Sequence, residues 1–138
     1  MYQKTLSYYI TIPYRCFAAF TGEQLQKVGL NFGLLFFVVY IGKHPGCTPS
    51  ELTNSLELDW GHSQRSINRL VEDGFVIKEK SGRCYHLTLT KQGIKAFDTA
   101  HQMFFDWDDT YCSGLTPQEK DQLLALMEKA AERIPHHV

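Results

Sequence analysis

Two helix-start signals stand only eleven residues apart, at Thr48 and Asp59, and that spacing leaves room for one short helix and a tight turn between them. Thr48 with Glu51 three residues on forms a capping box, and Pro49 suits the first helical position because its missing N–H would find no partner there anyway. Leu52 and Leu56, four apart, give this helix one core-facing side. The turn runs through Glu57 and Leu58, and Asp59 caps a second helix whose apolar positions are Trp60, Ile67, Leu70 and Val71. Gly74 stops it. The outward side then carries His62, Ser63, Gln64, Arg65, Ser66 and Arg69, hydrogen-bonding side chains suited to the donor and acceptor edges of a DNA groove.

After the second helix, residues Phe75 to Lys80 and Arg83 to Leu89 alternate roughly between apolar and polar, and Ser81-Gly82 supplies a tight turn between them. Lys78, Lys80 and Arg83 crowd the hairpin tip. Two helices, a turn and a basic hairpin in this order make a winged helix-turn-helix. Charge follows the same outline: residues 62–95 hold seven basic side chains against three acids, a net +4, in a chain whose formal total is −1. Lys91 and Lys95 belong to that set, although the first turns of a helix are not where its dipole favours cations. An acidic body with a basic motif is the distribution expected when one face meets phosphates.

The flanking segments are helical and too apolar for a small module to bury alone. The first dozen residues, with Tyr2, Tyr8 and Tyr9, show no clear period, but from Pro13 onward Tyr14, Phe17, Ala18, Thr21, Leu25 and Val28 form one stripe up to Gly29. Asn31 caps a helix that is apolar on nearly all sides from Phe32 to Ile41, which places it centrally. Thr90 opens a long helix with Ile94, Phe97, His101, Phe104, Trp107 and Tyr111 on its heavy side. A second capping box, Thr116, Pro117 and Glu119, opens the last helix, and Pro135, His136 and His137 form a frayed end. Stranded apolar stripes of this kind mark an association surface, and a two-fold homodimer closes them most economically. The fold class is therefore mainly α with a small β wing: six helices, dimeric, with residues 1–30 and 91–138 for dimerisation and 31–90 for DNA.

Several function classes find no support. The chain has no phosphate-cradling glycine loop, no nucleophile elbow and no paired acids on one helical face, so nothing points to an enzyme or a cofactor. The ten-residue apolar run from Phe32 to Ile41 falls short of the roughly twenty needed to span a bilayer, no targeting segment is visible, and a cytoplasmic location follows by default. Cys16, Cys47, Cys84 and Cys112 show no metal or disulfide spacing, and His44, His62, His86 and His101 are scattered, so no metal is assigned. Cys84 and His86 share one side of a strand as a solvent-facing pair, and Trp60 and Trp107 read as core or lid residues. Two readings stay open: a sequence-specific regulator on double-stranded DNA, or a winged-helix module whose basic face serves an acidic protein partner.

The landmarks PGCTPSELTNSLELD, RSINRLVEDGFV, LTLTKQG and SGLTPQEKDQLLALMEKA, in this order from Gly29 to Ile134, resemble the multiple-antibiotic-resistance regulator (MarR) family. The resemblance implies a dimer built from the first and last two helices, the second motif helix in the major groove of a pseudo-palindromic operator, and the wing at a minor groove. It also implies a repressor released by a small molecule or oxidant, with aromatic acids held near Phe17, Phe36, Tyr40, Phe104 and Trp107. Gln64 and Arg65 match positions that meet bases or phosphates. The wing departs from the family pattern: Ser81 stands where an Asp commonly precedes the Arg matched by Arg83, and the hairpin is shorter. Cys16-Phe17 resembles the Cys-Phe pair of the organic-hydroperoxide-sensing branch, whose following helix is longer. Cys16 is thus either a redox thiol or a buried, inert one.

Overall fold

A computed structural model describes residues 4–134. Along the chain run α1 (Leu6–Gln26), α2 (Phe32–Lys43), α3 (Pro49–Ser55), α4 (Trp60–Glu72), β1 (Val76–Ser81), β2 (Cys84–Leu89), α5 (Lys91–Tyr111) and α6 (Pro117–Ala131). Six helices and a two-stranded antiparallel sheet are the expected elements. Tyr2 and the frayed end proposed at Pro135, His136 and His137 lie outside the described residues. Packing divides the chain into one unit that ends at Met103 and another that begins at Phe104, with α5 running through the boundary.

In the first unit α2 is the centre. Asn31 caps it by accepting from Leu34 N, and Leu34, Leu35, Phe37, Val38 and Ile41 are all buried. Leu25, Leu52, Ile67, Leu70, Phe75 and Leu87 complete the core from the surrounding elements. Each such side chain contributes about 1.5–3 kcal/mol by leaving water, so the motif is fixed to α2 chiefly by hydrophobic burial.

Helix α1 begins well before the stripe that reveals it. Thr5 caps it, and Pro13 sits inside, where its absent N–H leaves the Tyr9 carbonyl without the usual helical donor. A proline read as a boundary is here an interior residue. Tyr14, expected on the buried stripe, is exposed, whereas Thr21 and Leu25 are buried. Thr21 bonds the Phe17 carbonyl at 2.8 Å, which is how a hydroxyl is satisfied on that face.

Helix α5 corrects the sequence reading of its faces. Thr90 Oγ1 accepts from Gly93 N at 3.0 Å and donates to the Gly74 carbonyl at 2.6 Å. The buried positions are Gly93, Ala96, Ala100 and Met103, and a Cβ at Gly93 would collide with the Phe75 carbonyl oxygen. Small residues win this face because backbone approaches backbone there. Ile94 and His101 are exposed and Phe97 is half-buried, its ring filling the space over Gly42.

In the second unit Trp107 and Tyr111 stack one turn apart with ring centroids at 5.6 Å. The Thr116 capping box is complete, with Glu119 N donating to Thr116 Oγ1 and Thr116 N to the Glu119 carboxylate. Helix α6 buries none of its residues, and Leu124, Leu126 and Met127 are at least half exposed.

Candidate nucleic-acid interface

The interface starts from two caps. Thr48 Oγ1 accepts from Glu51 N at 3.1 Å while Glu51 takes the Thr48 N–H, and Asp59 Oδ2 accepts from His62 N at 3.0 Å. Glu57, with φ of 54°, turns the chain between α3 and α4. At its far end α4 closes with a left-handed Gly74: Phe75 N reaches back to the Leu70 carbonyl and Gly74 N to that of Val71.

Among the residues expected outward on α4, His62, Arg65 and Arg69 are exposed and Gln64 is partly so. Ser63 and Ser66 are buried instead. Thr53 Oγ1 gives its proton to the Pro49 carbonyl at 2.6 Å, so the 2.6 Å contact between Thr53 and Ser63 must be Ser63 donating. Ser63 occupies a core position where α4 meets α3 at Thr53, and Ser66 lies beside Asn31, Gly33 and Leu34 at the start of α2. Trp60 and Val71, expected inward, are exposed, Trp60 at 53%. Asn68 is exposed beside Arg65 and Arg69, and the three-residue step from Arg65 is the signal that could have placed it. Arg69 lies 3.6 Å from Asp73 in an open ion pair, worth little in water and easily given up. Arg65 has no ion pair among the described residues.

In the wing, Val76 pairs with Leu89 and Ser81 with Cys84, so the turn residues are Gly82 and Arg83, one position later than the sequence suggests. Gly82 takes φ of 64°, as the first central residue of a II′ turn does. Lys80 and Arg83 are exposed and Lys78 is half-buried. A cleft of about 530 Å³ separates wing from helices, lined by Pro49, Trp60, Gln64, Lys78, Arg83 and Tyr85. The Gln64 amide nitrogen has no hydrogen-bond partner, a donor not yet used by the fold. A second cleft, about 250 Å³, lies on the other flank of α4 between Asn31, His62, Arg65 and Arg69. The wing is held to the body where Leu87 N donates to the Cys47 carbonyl, the Leu87 carbonyl accepts from Gly46 N, and His86 Nδ1 meets the Gly46 carbonyl at 2.9 Å, so His86 is a structural contact rather than a solvent-facing one.

Of the expected effector residues, Phe17, Phe36 and Tyr40 lie in the first unit. Phe17 and Phe36 both meet Phe32 edge-on, with centroids at 6.1 and 5.7 Å, and Tyr40 bonds Ser55 at 3.1 Å. Phe104 and Trp107 belong to the second unit. Cys16 is exposed in the single chain; Cys47 is the buried thiol, pushed from 9.0 up to about 11 by loss of hydration and then by the Glu51 carboxylate. No helix among the described residues is long and apolar enough to cross a membrane, and no three metal-ligating side chains converge.

The chain matches no family model. It is 42% identical, over 99% of its own length and 96% of the other's, to the HTH-type transcriptional regulator BilQ of Clostridium symbiosum. The BilQ regulator of Clostridioides difficile is 28% identical over 88% of this chain and 84% of that one. In fold it matches a MarR transcriptional regulator from Methanosarcina mazei with a TM-score of 0.81 at 22% identity, covering 92% of this chain and 87% of that one. A MarR family regulator from Listeria monocytogenes, solved with a 26mer DNA, matches with a TM-score of 0.80 at 20% identity, covering 95% and 89%. With its winged motif, its capped recognition helix and these relatives, the chain belongs to the family of HTH-type transcriptional regulators, and its winged helix-turn-helix fold is that of the MarR regulators.

Proposed function

We propose that this chain is a homodimeric repressor, acting in the cytoplasm, that binds a pseudo-palindromic operator and leaves it when a small aromatic or oxidant signal arrives. The observation that carries the reading is one surface: exposed His62, Arg65, Asn68 and Arg69 and half-buried Gln64 on α4, beside wing cations that have no ion pairs among the described residues. Such cations are free to replace counterions on phosphates. Gln64 and Arg65 are the candidates for base edges, because amide and guanidinium groups can each make paired hydrogen bonds to one base. Ser63 joins α4 to α3, and the buried Ser63 and Ser66 make no contact with DNA.

Dimerisation through residues 1–30 and 91–138 is supported by the bare faces of α1, α5 and α6, with Leu6, Tyr9, Ile10, Phe105, Leu126 and Ile134 all exposed. The signal site is the aromatic neighbourhood of Phe17, Phe36 and Tyr40, and Cys16 is the thiol open to an oxidant. The test is anisotropy titration of the whole chain on a duplex from its own upstream region and on a scrambled duplex, at several salt concentrations. Tighter binding to the upstream duplex, falling steeply with salt, is the expected result. Equal, salt-insensitive binding to both would leave the protein-partner reading in its place.

A further inference from the structure

The wing carries Lys78 and Lys80 on one side of the hairpin, with Glu79, between them in sequence, on the other side. Lys80 stands directly across from Tyr85, and Lys78 is its diagonal neighbour on the same face. Lys78 Nζ lies 4.8 Å and Lys80 Nζ 6.0 Å from the centre of the Tyr85 ring. The face of an aromatic ring is electronegative and attracts an ammonium over it. Tyr85 is 43% exposed, so burial alone does not account for an aromatic residue here. Its ring also lines the cleft opposite Trp60 and Gln64, on the side of the wing that faces the recognition helix.

We propose that Tyr85 is a positioning residue for DNA binding: its ring gathers the ammonium groups of Lys78 and Lys80 on the cleft side of the wing and holds them ready for phosphates. Left alone, two ammonium groups so close repel and their stems sample many rotamers, and ordering them on binding would cost free energy. The ring offsets the repulsion and does part of the ordering in advance. Hairpin register fixes the arrangement, since a slip of one residue would send Tyr85 to the opposite face. The inference rests on the DNA-binding reading of the wing.

The experiment uses the whole chain, a duplex from its own upstream region and a scrambled duplex. Tyr85→Phe keeps the ring and should bind as the wild type does. Tyr85→Leu keeps an apolar strand residue without the ring and should weaken binding about two- to fivefold on both duplexes, the range of a cation–π contact at an exposed site. In a Lys78→Ala/Lys80→Ala background, Tyr85→Leu should change nothing further, because the groups it acts through are gone. In the free protein, the ε protons of Lys78 should show an upfield ring-current shift that Tyr85→Leu abolishes. Equal losses in Tyr85→Phe and Tyr85→Leu would mean that the hydroxyl touches DNA, and an equal loss without the lysines would mean that the ring only supports the hairpin. Either outcome overturns the proposal, as does wild-type binding by Tyr85→Leu. Unshifted lysine protons with DNA binding intact would remove the brace alone. Absence of binding by the wild type would overturn the DNA reading and this inference together, whatever the ring-current shift.

Discussion

Replacing Ser63 by alanine should change stability in opposite directions depending on whether its partner is present. Ser63 is fully buried and donates to Thr53 Oγ1 at 2.6 Å, while Thr53 spends its own proton on the Pro49 carbonyl. Ser63→Ala therefore strands no donor; it costs one neutral hydrogen bond, about 0.5–1.5 kcal/mol. The better helix propensity of alanine offsets up to about 0.7 kcal/mol of that. Thr53→Val is more severe, because it leaves the Ser63 hydroxyl without its acceptor in a dry site, at about 1–3 kcal/mol, while the Pro49 carbonyl keeps its helical backbone donor. In that second background Ser63→Ala removes an orphaned hydroxyl and gains propensity, so it should stabilise. Urea unfolding of the four proteins at one fixed concentration gives the cycle, with equal m-values as the control. The same sign in both backgrounds, with coupling below about 0.5 kcal/mol, would refute the hydroxyl pair as the joint of the motif. Folded Ser63→Ala should also keep wild-type affinity for the upstream duplex, as fits a residue that never meets DNA.

Arg65→Ala should lose about 1–3 kcal/mol on the upstream duplex and much less on a scrambled one, whereas Arg83→Ala should weaken both and flatten the salt dependence by about one ion per subunit; duplex titrations at several salt concentrations check both. Gly93→Ala should destabilise by well over the roughly 1 kcal/mol that alanine normally gains over glycine in a helix, because its Cβ meets the Phe75 carbonyl, and thermal unfolding reads this directly. Leu124→Glu with Met127→Glu, both at positions half exposed in the single chain, should leave helicity intact and shift the mass seen by light scattering from twice 15.9 kDa to 15.9 kDa. Cys47, held near 11 in the folded protein against 9.0 ordinarily, binds its proton more tightly folded than unfolded. Its contribution is therefore intact below pH 9 and lost as pH rises through the folded value, and Cys47→Ala should flatten the decline of stability between pH 9 and 11.

What the sequence disclosed best was what a side chain does to its own backbone. Asn31, Thr48, Asp59 and Thr116 all cap as their spacing suggests, because each interaction is complete within four residues. Faces were harder. Hydrophobicity orders residues by preference for burial but does not say which neighbour comes close, so Ser63 is buried while Trp60 stands in water. On α5 the stripe of rings looks like the core side, yet glycine and alanine take the buried face because backbone lies against it. Turn geometry fell between the two: the glycine of the wing was legible, but the hairpin register that makes Arg83 a turn residue depends on where Leu87 anchors in the body. Tyr85 gave no signal of its own, since its role arises only when pairing brings it opposite Lys80.

The junction at Thr90 leaves the protein with almost no mechanical slack at one place. A single hydroxyl takes the Gly93 N–H and gives its proton to the Gly74 carbonyl, and Gly93 itself rests on the Phe75 carbonyl with no room for a methyl group. The last turn of α4, the root of the wing and the first turn of α5 are therefore geared together rather than hinged. A twist applied along the 91–103 half of α5 has no compliant loop in which to dissipate at that end. It would be passed to the end of the recognition helix and the root of the wing, the two elements proposed to meet DNA.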